Sequence, residues 1–430
     1  MKKPTLLLLL CLLLASCSDD KEQQPPFVTN VTISDSDKVF NPGDAVTVTA
    51  DGFLDGDQLM LDIRWPLPDE PIQEGYSRGT QAIITERTAK SLTFLAPGGY
   101  PKSTVEIFLN RASKLMPLGK ISVSDGQRPE VQQLYGITNS RTRAGYPYSI
   151  ERVKLGIEGE ITRVVTFEEG EDFLNIVTEP GTWSLYGMRK QNDQSSVDFF
   201  DLSIQHWGNT GINDHTVALC SGNSLVAVNR LDEKSVILSP VSRPSLTRMN
   251  TPPAARPYTL PEGLKPEALS RFPGVYVTDG HLLLSADNGD GTFSPVVISM
   301  QETSIHLLDP IKADALIPIR IPVRNKLNPD TYTMAGGYIL SRPNGGETEF
   351  RLWDTTTHSL GAPFTTYPNA ALSAATFISV VSKELTERKL YVLFEGYRSG
   401  NLIKALDLQT NEWENSSDGG FPYSEIALAK

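Results

Sequence analysis

The chain has 430 residues, with 39 basic and 51 acidic side chains and a formal net charge of −12. That balance excludes nucleic acid as a partner, since phosphate binding needs clustered Lys and Arg, and it excludes a polybasic membrane patch. It leaves neutral sugars open, and a chain of this length buries a core without covalent staples.

The first elements form a leader. Met1-Lys2-Lys3 is basic, Leu6 to Leu14 is almost pure leucine, and Leu14-Ala15-Ser16-Cys17 follows. The apolar run is about half of the roughly 20 residues a membrane-spanning helix needs, so residues 1–17 read as a signal peptide. The Leu-Ala-Ser-Cys segment resembles the lipobox of bacterial lipoproteins. The resemblance implies that Cys17 is lipidated and opens the mature chain; the alternative is a free cysteine in the leader. Residues 18–26, from Ser18 to Pro26, are polar and end in two prolines, so they form a flexible tether. Its acidic start resembles the export signal of Gram-negative lipoproteins on the outer face of the outer membrane. The expected location is therefore the outer membrane, facing the cell exterior, with the lipid as the membrane attachment. Cys220 then remains as the free thiol. It lies in the apolar run Ala218-Leu219-Cys220, which marks it as an inert core residue.

Residues 27–125 read as one all-β unit. Val28 to Ile33 and Ala45 to Thr49 alternate, and Asn41-Pro42-Gly43-Asp44 between them is a turn in which Pro presets φ and Gly accepts φ > 0. Further strands are expected at Gln58–Ile63, Ala82–Thr85, Ser91–Leu95, Thr104–Leu109 and Lys120–Val123. This rhythm predicts an immunoglobulin-like β-sandwich that folds alone. Pro42 to Val48, Gly52-Phe53, Leu92 to Pro97 and Leu118 to Val123 resemble the IPT/TIG family, which implies a spacer or binding module. The proline-rich stretch Trp65 to Pro71 is expected to be an exposed loop.

A polar boundary at Ser124 to Pro129 precedes residues 130–430. No amphipathic helix stands out there; Glu262 to Phe272 is the best candidate, and Pro266 interrupts it. Tight-turn signals near Arg143, Asn192, Asp232, Asn288, Gly345 and Ser399 recur irregularly at about fifty residues. Three runs end in Asp and a polar turn: Val197 to Leu202, Phe350 to Thr355 and Ile403 to Trp413. The last two resemble the inner hairpin of a blade in β-propellers of the Kelch or quinoprotein kind. The expected fold is thus all-β, a sandwich followed by a six- or seven-bladed β-propeller; two further sandwiches are the rival. Ser424 to Ala429 is expected to close the ring on the first blade.

Candidate sites are few. Gln205 to His215 reads as a long polar loop. Trp207 there offers a ring face for a sugar, with Asn209, Asn213 and Asp214 bonding its hydroxyls; packing of Trp207 between blades is the structural alternative and is favoured. His206, Asp214 and His215 match no compact metal motif. Tyr146-Pro147-Tyr148 is the second choice for a ligand rim, with Tyr146 and Tyr148 as its rings. Asp287 to Thr292 resembles a calcium loop but lacks its terminal Glu, and its Asn-Gly and Asp-Gly pairs favour a hairpin turn. Glu168, Glu169, Glu171 and Asp172 read as a solvated cluster. No catalytic residue, metal or cofactor is assigned. The leading expectation is a cell-surface lipoprotein with a non-catalytic binding role, its partner a glycan taken up by a polysaccharide system. The alternatives are a propeller glycoside hydrolase or polysaccharide lyase with an axial site, and a scaffold for a surface protein.

Overall fold

A computed structural model describes residues 27–429 apart from 66–75, 113, 127–132, 143, 155–159, 179–182, 192–193, 214, 223, 242–255, 278–279, 325–331, 342–345, 355–356, 369–370, 378–388, 396–399, 409 and 415–419. Cys17, the tether, Pro66 to Pro71, Asp214 and the turn signals at 143, 192, 345 and 399 lie outside the described residues, as does the side chain of Asn213. Among the described residues no helix is long and apolar enough to cross a membrane.

Residues 29–123 form two facing sheets. One runs Thr29–Ile33, Ala45–Asp51, Ser91–Leu95, Ile84–Arg87; the other runs Val39–Phe40, Lys114–Val123, Ser103–Arg111, Gln58–Trp65, Tyr76–Gln81. Period-two alternation drives the packing: Val46, Val48 and Ala50 point inward while Thr47 and Thr49 stay at the surface side. The expected turn is present, with Asp44 N–H donating to Asn41 O at 3.0 Å and Gly43 at φ 85°.

The rest is a ring of sheets. Among the described residues six four-stranded blades surround one axis. Their innermost strands are Glu425–Ala429, Glu171–Thr178, Thr216–Ser221, Gly274–Val277, Ala315–Arg324 and Ala371–Phe377. Each lies beside the next, and the last returns to the first. Blade one joins both ends of the domain: Gln133–Thr138 pairs antiparallel with Glu425–Ala429, so the C-terminal strand closes the ring as expected. Blades three and four touch through a short parallel pairing at Cys220 and Gly274.

Several details differ from the sequence expectation. The strands ending in Asp354 and Asp407 are the third strands of blades five and six, so they open the outer hairpin and not the expected inner one; the strand ending in Asp201 is likewise the third of blade two. Each aspartate caps the following turn; Asp354 accepts from Thr357 N–H at 3.2 Å and Asp407 from Thr410 N–H at 3.1 Å. Pro266 starts a short 3-10 helix, Pro266–Ser270, because its missing N–H is not needed in a first turn. Asn288 to Gly291 is the expected hairpin turn, with Gly289 and Gly291 both at positive φ.

The two domains share a core. Ile83 and Leu95 leave the sandwich interior and pack with Val177, Tyr186, Val197 and Phe199 of blade two and Leu219 of blade three. Gly98 lies so close to blade two that a Cβ there would sit 2.7 Å from Ser203 Oγ and 3.0 Å from Ile204 Cγ2. Cys220 is fully buried, and burial pushes its thiol far above the ordinary range, so it is inert.

Candidate functional site

The junction leaves a cleft of about 600 Å³ between the sandwich and the outer strands of blade two. That lies within the range of roughly 300–1,000 Å³ usual for ligand sites. One wall comes from Asp55–Gln58 and Gln81–Arg87, the other from blade two. Gln81 Nε2 bridges the walls, donating to Asn209 O at 3.0 Å.

The blade-two wall carries charge in an apolar sheet. Glu171, Arg189 and Asp198 stand on three adjacent strands, Glu171–Thr178, Ser184–Gln191 and Gln194–Asp201. Arg189 pairs with Glu171 through one nitrogen and reaches Asp198 at 3.4 Å through the other. Its guanidinium also lies 4.3 Å from the centre of the Trp207 ring. Arg189 Nε is buried and makes no hydrogen bond among the described residues. Asp198 is 5 % exposed and accepts from Ser196 Oγ and Asn209 Nδ2, each at 2.8 Å. Burial raises its carboxyl above the ordinary value, and the Ser196, Arg189 and Asn209 contacts only partly offset this.

The sandwich wall is held by arginines. Arg111 grips Asp57 with two bonds of 2.7 Å, from Nε and from a terminal nitrogen. Arg87 donates to the carbonyls of Leu54 and Asp57 at 3.0 and 2.5 Å. Between these walls Gln58, Gln191 and Gln194 offer amides that both donate and accept.

Of the residues singled out from sequence, Trp207 and Asn209 line this cleft. The segment around them is not a loop: His206–Asn213 is the edge strand of blade two, bulged between Val197 and Asp198 on its partner. Trp207 meets Phe173 and Phe200 edge-on at 4.9 and 5.0 Å, in the apolar cluster between blades one and two. With Arg189 over its ring, it supports the wall more than it offers a stacking face. His206 and His215 are exposed at opposite ends of this segment. Tyr146 is 47 % exposed and Tyr148 packs on the same apolar cluster, but neither lines the cleft.

The acidic run is the clearest correction. Glu171 and Asp172 are buried, not solvated. Glu171 opens the inner strand of blade two, and Asp172 accepts from the N–H groups of Ser140 and Phe173 at 3.0 Å. Arg189 and Asp198 were missed altogether. Their signal was a charge inside an apolar strand, as in Val197-Asp198-Phe199.

Among the described residues the inner strands line a smaller cavity. A cavity of about 70 Å³ lies among the inner strands, lined by Thr178, Ser221 and the buried Arg320. It has space for about two waters, and no carboxylate lines it among the described residues.

With this geometry in view, two family models match the chain. Residues 134–429 match the DUF4784 WD40-like domain, and residues 25–131 match the DUF4784 N-terminal Ig-like domain. A crystal structure of a DUF4784 family protein from Bacteroides caccae is similar at 28 % identity and a TM-score of 0.65, covering 94 % of this chain and all of that one. The tricorn protease also aligns, at 10 % identity and a TM-score of 0.30, over 90 % of this chain and 39 % of its own. No curated protein matches the chain.

Proposed function

The chain belongs to the DUF4784 family, and from that premise we propose that it is a surface lipoprotein that binds a glycan without cleaving it, in the cleft between its two domains. The single observation that carries this is the cleft itself, a ligand-sized space whose walls present Gln58, Gln81, Gln191, Gln194 and Asn209. Amides suit sugar hydroxyls because each can donate and accept. The lipobox at Cys17 and the tether supply the anchor and the outer-membrane location; the IPT/TIG-like sandwich serves as one wall as well as a spacer. The partner at the surface is then the glycan, and the lipid is the membrane contact.

One observation favours a hydrolase instead. Asp198 has a raised carboxyl, as a general acid requires, and Glu171 shares Arg189 with it. Both acids rise from one sheet and share Arg189, whereas glycoside hydrolysis needs carboxylates on either side of the bond. Binding without cleavage therefore fits better. A protein partner has weaker support: the exposed large apolar side chains, among them Val39, Leu54, Ile161 and Leu231, come from separate strands and turns of the chain.

The experiment is a polysaccharide array probed with protein lacking residues 1–17, followed by assay of any bound glycan for new reducing ends. Retention with no new ends supports the proposal. Release of shortened products makes the protein an enzyme, and no retention on any glycan removes the proposal.

A further inference from the structure

The cleft has a charge bias. Its sandwich wall contributes Asp55, Asp57 and Glu86, and its blade-two wall contributes Asp198 with Glu171 behind it. The guanidiniums facing them are already engaged. Arg111 holds Asp57, Arg189 is shared between Glu171 and Asp198, and Arg87 is turned onto two backbone carbonyls. Five carboxylates thus meet three arginines, and Asp55 and Glu86 stand exposed at the entrance.

Resting on the glycan reading above, we infer that the cleft selects polysaccharides free of carboxylate and sulfate groups, and that the exposed Asp55 and Glu86 set this selectivity. An anionic sugar entering the cleft would meet more carboxylates than guanidiniums within a few ångströms, and Arg87, which pairs with no carboxylate among the described contacts, has two of its nitrogens already bonded to carbonyls. Such repulsion acts over about 10 Å at ordinary salt and strengthens in a partly desolvated site. A hydroxyl-bearing or amino-bearing sugar meets no such barrier, and Asp198 and the amides accept its donors.

The test uses an array of neutral β-glucan, xylan, mannan and galactan, amino-bearing chitosan, and anionic polygalacturonate, alginate and chondroitin sulfate. Neutral or amino-bearing glycans should bind at least about tenfold more tightly than the anionic ones at low salt, and the gap should shrink as salt screens the charges. The double variant Asp55→Lys with Glu86→Lys changes two exposed side chains, so it should fold normally. It should close the gap to within about threefold by strengthening anionic binding. Anionic polysaccharides binding as well as neutral ones would overturn the inference while leaving the glycan reading intact. So would a gap that the double variant leaves unchanged. Binding to none of the three classes would remove the glycan reading and this inference together.

Discussion

Among the carboxylates that the described part of the propeller buries, those at the ring closure and at the cleft are held differently. At the ring closure Glu425 is surrounded by donors. Its oxygens accept from Asn139 Nδ2 and Asn175 N–H at 3.0 Å and from Ile176 N–H at 2.7 Å, with Arg141 at 3.6 Å. Every one of these groups belongs to blade one or blade two, so the C-terminal strand is latched to its neighbour. At the cleft Glu171 and Asp198 divide one arginine, and Asp198 remains perturbed by burial despite three partners. A carboxylate whose partners are complete is a joint in the structure. One that is buried, shares its arginine with a second acid and lines a ligand-sized space is a candidate for recognition.

That contrast sets an order of expected effects. Glu425→Ala should cost most, about 3–5 kcal/mol in chemical denaturation, because it leaves two buried strand N–H groups, of Asn175 and Ile176, without their acceptor and takes one acceptor from the buried Asn139 amide. Equal stability of this variant and wild type would deny the latch. Trp207→Ala should cost on the order of 2–3 kcal/mol, below the range for a fully buried tryptophan, since its ring is half-buried among Phe173 and Phe200. An unchanged thermal midpoint would return Trp207 to the role of a free stacking platform. Gly98→Ala should cost about 1–2 kcal/mol by overpacking the domain junction. Limited proteolysis should then separate the domains faster than in wild type.

The pH dependence is subtler. Asp198 has a folded-state value above its ordinary 3.8, so its contribution to stability is fully present below that value. It is lost as pH rises through the folded-state value. Wild type should therefore lose stability relative to Asp198→Asn as pH climbs from about 4 toward neutrality. Parallel curves for the two proteins across that window would show that Asp198 is not perturbed. The smallest structural effect should come from Gln194→Ala, an exposed change expected to alter stability by less than about 0.5 kcal/mol. Glycan affinity should nevertheless fall about fivefold, in line with one lost hydrogen bond.

Much of the architecture was legible because it rests on local rules. Alternation exposed the sandwich strands, Asn-Pro-Gly-Asp and Asn-Gly-Asp-Gly marked turns, and the last strand announced ring closure by being apolar and terminal. Trp353-Asp354 reads as part of an inner hairpin in the sequence but lies on the outer one. A Trp-Asp pair at a strand end is itself a signature of WD40 blades, and this one closes the third strand of blade five. The site was harder to see. Glu171 and Asp172 look solvated beside Glu168 and Glu169, because nothing in the run marks that the strand begins at Glu171 and leaves the two acids before it in an exposed turn. The cleft depends on Gln81 and Asn209, which are 128 residues apart and meet only once the domains dock. No spacing rule encodes such a meeting.

The central claim is that the interdomain cleft holds the ligand. Hydrogen exchange of the full chain, with and without whichever polysaccharide it retains best, tests this most directly. Exchange should slow at Ile83–Arg87, Gln194–Asp198 and Gly208–Asn209, on both walls at once. Slowed exchange confined to Tyr146–Tyr148 or to the axial strands, with the cleft unchanged, would contradict it.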